Sequence, residues 1–93
     1  MYCIKIDDKN KNRPIIILEG HLDNSSIIES ELIQILNKYK NSKEIAIDFK
    51  TVLSVSDSCL LMFQNLRKEF PIQFRDYSLY IETLLNENRL INI

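Results

Sequence analysis

Ninety-three residues set the scale of one small domain and leave no room for a nucleotide-binding half beside a substrate half. Apolar residues at 45% and charged residues at 27% are ordinary for a globular chain. Twelve basic and thirteen acidic residues give a net charge of −1, with neither the basic footprint of a nucleic-acid binder nor the polybasic run of a membrane-surface protein, and a single glycine excludes a glycine-rich phosphate loop.

Cys3 and Cys59 sit far apart in apolar runs, too few for a disulfide framework. They are expected as reduced thiols in a cytoplasmic protein. His21 is the only histidine and no zinc spacing exists, so no metal and no cofactor is expected. Met1 to Asp8 lacks the pattern of a signal peptide, and the longest apolar run, Ile15 to Leu18, is far too short to span a membrane.

Tyr2 to Ile6 alternates and predicts a short edge strand. A charged, Asn-rich turn follows, and Pro14 then opens the β-branched run Ile15 to Leu18. Proline is tolerated at the first residue of a strand, and the unbroken apolar run predicts a strand covered on both faces. The two strands form an antiparallel hairpin. Ser26-Ile27-Ile28-Glu29 has the form of a capping box, with Ser26 as the cap of a first helix. Ile28, Leu32, Ile35, Leu36 and Tyr39 make its apolar stripe, and the helix is expected to stop near Asn41.

Ile45 to Phe49 predicts the next strand, followed by a loop over Lys50 to Val55. Ser56-Asp57-Ser58 supplies three good capping residues for a second helix, with Cys59, Met62, Phe63, Leu66 and Phe70 at helical spacing. Pro71 ends it. Ile72-Gln73-Phe74 is a brief strand, Ser78 caps a third helix carrying Ile81, Leu84 and Leu85, and Ile91 with Ile93 is expected as a last strand or a packed tail. The order is ββαβαβαβ over residues 1–93 as one domain. It implies a mixed sheet of four or five strands with about three helices mainly on one side. The first strand, at an edge, is a candidate for pairing between two copies.

Three stretches resemble STAS domains, the fold of bacterial anti-sigma-factor antagonists. Gly20-His21-Leu22-Asp23 is similar to the family's Gly-x-Leu-Asp. Ile45-Ala46-Ile47-Asp48-Phe49 is similar to the strand before the family's signature loop. Val55-Ser56-Asp57-Ser58-Cys59-Leu60-Leu61 resembles the Asp-Ser-Ser-Gly-Leu opening of the second helix, whose first serine is the family's phospho-acceptor. Matching Asp57-Ser58 to the family's Asp-Ser makes Ser58 the acceptor and needs one extra residue after Asp48. A match without a gap puts Asp57, a built-in carboxylate, in the acceptor position. Ser56 is a third candidate. In either register the family's glycine is replaced, by Leu60 or by Cys59.

The resemblance implies a non-catalytic regulatory module. Its partner would be a serine kinase that is also an anti-sigma factor, with ATP bound by that partner. Asp23, Asn24, Ser56, Asp57, Ser58, Leu60 and Leu61 would form the docking surface, and a phosphate at the start of the second helix would release the partner. The same fold also serves as an accessory subunit that binds the ATPase of a lipid-transport ABC system without phosphorylation. A plainer reading makes Ser56, Asp57 and Ser58 helix caps and Asp23 and Asn24 turn residues. Asp7-Asp8 does not open a receiver domain, because a polar turn into Pro14 stands where a helix belongs. An RNA-binding ferredoxin-like sheet has another element order and needs exposed aromatics. No nucleophile is placed beside His21 by any periodicity, so no hydrolase triad forms.

Overall fold

The computed structural model describes residues 1–91. The elements are β1 (Tyr2–Asp7), β2 (Ile15–Leu22), α1 (Ser25–Lys38), β3 (Ile45–Val55), α2 (Asp57–Glu69), β4 (Ile72–Arg75) and α3 (Leu79–Glu87). They build one sheet in the order β1-β2-β3-β4. The β1–β2 hairpin is antiparallel, and β2–β3 and β3–β4 are parallel, as helical crossovers between strands demand. The expected mixed sheet with three helices is therefore found. Among the described residues it has four strands: Ile91 lies in none, and Ile93 falls outside the described residues.

The sheet is buried on one face only. Ile16 and Leu18 are fully buried, while Ile15 and Ile17, pointing the other way, stay half-buried. This corrects the reading of β2 as covered on both faces. Ile16 pairs with Ile47 on the inner face, and Ile17 pairs with Asp48 on the outer one. The outer face also carries the Lys5–Glu19 ion pair at 3.2 Å. Inside, Ile28, Leu32 and Leu36 of α1, Cys59, Met62, Phe63 and Leu66 of α2, and Ile81 and Leu85 of α3 meet the sheet in one apolar cluster.

Two sequence expectations shift at element boundaries. The loop expected over Lys50 to Val55 is strand, because β3 runs on to Val55. Two bulges explain why it does not read as one. Between the pairs Ile17–Asp48 and Glu19–Thr51, β3 uses one residue more than β2, and it does so again between Gly20–Val52 and His21–Ser54. Each extra residue breaks the period of two, so Val52 and Val55 return to the inner face out of phase. The capping box on Ser26 is not formed, since α1 starts earlier. Asn24 is the cap, its Oδ1 accepting from the Ile27 N–H at 3.3 Å. Finally, β4 stops at Arg75, opposite Asp48, so residues 49–55 of β3 have no strand neighbour on that side.

Gly20 has a physical reason to be glycine. Its φ is +87°, and an added Cβ would collide with the carbonyl oxygen of Met1. That same oxygen accepts from the His21 N–H at 3.0 Å, which fastens the start of β1 to β2.

Phe49, Phe63 and Phe74 meet pairwise with ring centroids 5.5 to 5.7 Å apart, joining β3, α2 and β4. Such contacts add to plain burial. Phe63→Ala is expected to cost about 3–5 kcal/mol, read as a lowered urea midpoint with an unchanged slope.

At the other end of the sheet the Tyr39 O–H donates to Asp8 Oδ2 at 2.7 Å. That bond, helped by Lys11 and Lys38, holds the Asp8 carboxyl below the usual carboxylate range and pushes the Tyr39 phenol up. A carboxyl lowered on folding stabilises the fold above its unfolded pKa of about 3.9, and that contribution disappears as pH falls through the folded pKa. Tyr39→Phe should therefore lower stability at neutral pH and flatten the acid-side loss. Denaturant midpoints measured from neutral pH downward check both.

Candidate functional site

The parallel pairing of β2 with β3 brings two helix starts together. Leu22 and Val55 are partners, and the Ser56 N–H donates to the Leu22 carbonyl at 2.8 Å. One residue beyond that bond the chains diverge, into Asp23-Asn24 ahead of α1 and into Asp57-Ser58 of α2. Each helix is capped by a side chain, α1 by Asn24 and α2 by Ser56. Asp23, Asn24, Ser56, Asp57 and Ser58, five of the seven residues the resemblance implied for docking, follow directly on these two paired strand ends.

Within the patch the roles separate. The Ser56 Oγ accepts from the Cys59 N–H at 3.2 Å, so Ser56 is the structural cap and is half-buried. Ser58 is the second residue of α2 and is exposed, its Oγ 3.2 Å from Ser56 Oγ. Asp23, Asn24 and Asp57 are exposed as well. No basic side chain lies on 22–37 or on 51–66. The exposed hydroxyl of Ser58 therefore stands on a first helical turn, where unpaired N–H groups and the positive end of the dipole favour an anion.

Leu60 does not belong to a surface. It is 2% exposed and packs into the core, which corrects its expected place in the docking patch. Its neighbour Leu61 is 58% exposed. The inward arc of α2 takes in Cys59, Leu60, Met62, Phe63 and Leu66, and Leu61 falls outside it. Ile27 likewise lies outside the inward arc of α1 and is exposed beside buried Ile28 in its first turn. Ile27 was missed, although it falls outside the Ile28, Leu32, Leu36 stripe that the spacing defined. Leu53, 64% exposed on the second bulge of β3, had no such signal.

His21 Nδ1 lies 2.7 Å from Ser54 Oγ on the outer face, a cross-strand hydrogen bond. Cys3 is exposed, Cys59 is buried, and both are free thiols. Among the described residues no helix is long and apolar enough to cross a membrane.

The fold and the paired helix starts define a class. The chain has the α/β fold of bacterial anti-sigma-factor antagonists, as the resemblance implied. An anti-sigma factor antagonist from Mycobacterium paratuberculosis superposes with a TM-score of 0.73 at 10% identity, over 98% of this chain and 83% of the other. The anti-sigma factor antagonist SpoIIAA in its unphosphorylated form gives 0.68 at 12% identity, over 90% of this chain and 82% of the other. No protein-family model and no curated protein sequence matches the chain.

The division of labour between the two serines is measurable. Ser56→Ala should cost about 0.5–2 kcal/mol through the lost cap, whereas Ser58→Ala should stay within about 0.5 kcal/mol of the parent. Equilibrium urea unfolding of the two variants separates them.

Proposed function

We propose that this chain is a cytoplasmic, single-domain antagonist of an anti-sigma factor, a binding protein and kinase substrate with no catalysis of its own. The partner is a serine kinase that also sequesters a sigma factor. It docks on the end of the molecule formed by Asp23, Asn24, Asp57, Ser58 and Leu61, and ATP belongs to it. The observation that carries this reading is the exposed Ser58 hydroxyl on the first turn of α2, beside the Asp23 loop, in a fold shared with antagonists.

The choice of Ser58 over Ser56 and Asp57 has local support. Ser56 is occupied as the cap, and modifying its oxygen would remove the acceptor for the Cys59 N–H. The bulge directly after Asp48 also gives a place for the extra residue that the Ser58 register needs. A phosphate on Ser58 brings about −1.5 to −2 charges and is tolerated by its own helix end. In a close contact that group has to shed its water against the partner. Each 1.4 kcal/mol of that penalty weakens binding about tenfold, so a few kcal/mol makes a switch. Nothing in this structure favours the ABC-ATPase reading, and the similar solved structures described above are antagonists.

The test is incubation with a lysate of the source organism and ATP, followed by intact-mass measurement and pull-down. The parent should gain one phosphate and Ser58→Ala none. Ser58→Ala should hold the kinase, and Ser58→Glu should release it by roughly tenfold or more. A phosphate retained on Ser58→Ala would move the acceptor to Ser56. Loss of the kinase from Asp57→Ala alone, with no phosphate on any form, would favour the built-in carboxylate.

A further inference from the structure

The net charge conceals a polarised molecule. The β1–β2 turn carries Lys9, Lys11 and Arg13, and the end of α1 with the following loop carries Lys38, Lys40 and Lys43. Hydrogen bonds stitch these two segments together. The Lys43 N–H donates to the Asn12 carbonyl at 3.1 Å and to Asn12 Oδ1 at 2.9 Å, and Ser42 Oγ donates to the Lys11 carbonyl at 3.0 Å. These two segments hold six cations and three carboxylates, Asp7, Asp8 and Glu44, a charge of +3 against −4 for the rest of the chain. Among the described residues the ion pairs are Lys5–Glu19 and Arg75–Asp76, and neither uses any of the six.

Between the two segments lies a cleft of about 460 Å³ lined by Lys11, Asn12, Lys38, Tyr39, Asn41 and Ser42. The Lys11 and Lys38 ammonium groups are its cationic donors, while the O–H groups of Tyr39 and Ser42 are spent on Asp8 and on the Lys11 carbonyl. Because Asn12 Oδ1 is taken by the Lys43 N–H, its amide NH2 group is left to donate. The Lys38 ammonium is held over the Tyr39 ring at 5.5 Å from its centroid. The acidic helix starts lie at the far end of β2, about 23 Å away, beyond two Debye lengths of about 8–10 Å. They do not cancel the field here.

We propose that this cleft binds a small anion carrying two or more phosphate groups. The lining selects that class. No exposed aromatic offers a stacking surface for bases, as Tyr39 is 7% exposed. The cleft's own side chains include no exposed large apolar group to enter a bilayer. An open depression flanked by the Lys11 and Lys38 ammonium groups and the Asn12 amide suits compact, multiply charged phosphate. The site lies at the opposite end of the sheet from Ser58 and does not depend on the docking role proposed there.

The test is titration of the whole protein with inorganic triphosphate, followed by calorimetry and by amide NMR shifts. Shifts should concentrate in residues 8–14 and 38–44. Lys11→Gln with Lys38→Gln should weaken binding roughly tenfold or more. Asn12→Asp keeps the acceptor for the Lys43 N–H while replacing the donor with a charge, and should weaken binding to a similar degree. Lys50→Gln, on the outer face, should leave it unchanged. Equal loss in Lys50→Gln, or shifts spread over every lysine, would reduce the effect to a diffuse ion atmosphere and overturn the proposal. Absence of triphosphate binding would overturn it too, including when phosphatidylserine vesicles or DNA are retained by the same lysines.

Discussion

The parallel seam between β2 and β3 is the constraint on which the rest depends. It positions Leu22 against Val55 and fastens Ser56 to the end of β2 through one backbone hydrogen bond. Both helix starts follow from that bond, because each strand hands over to its helix within a few residues. The site is thus a property of the sheet and not of a loop. Its residues come from stretches more than thirty positions apart in the chain, yet their separation in space is set by the spacing of neighbouring strands. The same seam divides the molecule by charge. The end of β1, the starts of β2 and β3 and the end of α1 gather at the lysine-rich pole, and the ends of β2 and β3 with the starts of α1 and α2 gather at the acidic one.

Much of this was legible in the residues. The helix stripes were correct at Ile28, Leu32, Leu36 and Tyr39 and at Cys59, Met62, Phe63 and Leu66, because helical burial repeats without interruption. The cap Ser78 was also readable, since it stands just before an apolar stripe, and Ser56 lay among the three candidates Ser56, Asp57 and Ser58. The first cap was misplaced from Asn24 to Ser26 because three good capping residues stand in a row there and only tertiary placement chooses among them. The far half of β3 was lost for a different reason. A bulge shifts the inward face by one residue, so a pattern detector built on strict alternation sees noise at Thr51 to Ser54.

The site was legible as a set of residue types and less so as a surface. The capping cluster and the Asp23 turn were readable, and the structure pairs the strand ends that precede them. Sequence spacing did not separate Leu60 from Leu61, since a one-residue difference in where the helix begins rotates the inward face by a large angle. The lysine-rich pole was invisible for a more general reason. Net charge sums over the chain, and no run of lysines is long enough to stand out. Only folding places the hairpin turn beside the end of α1.

The unmatched upper half of β3 carries a consequence for how the molecule behaves in a crowded solution. An open row of peptide groups invites a foreign strand to zip alongside and seed fibrils. Here that row is interrupted twice by surplus residues, and Lys50 protrudes from its beginning. An intruding chain would find its rungs out of step after two or three residues. The irregularity that hid this segment from pattern reading therefore also makes it a poor template for a second strand.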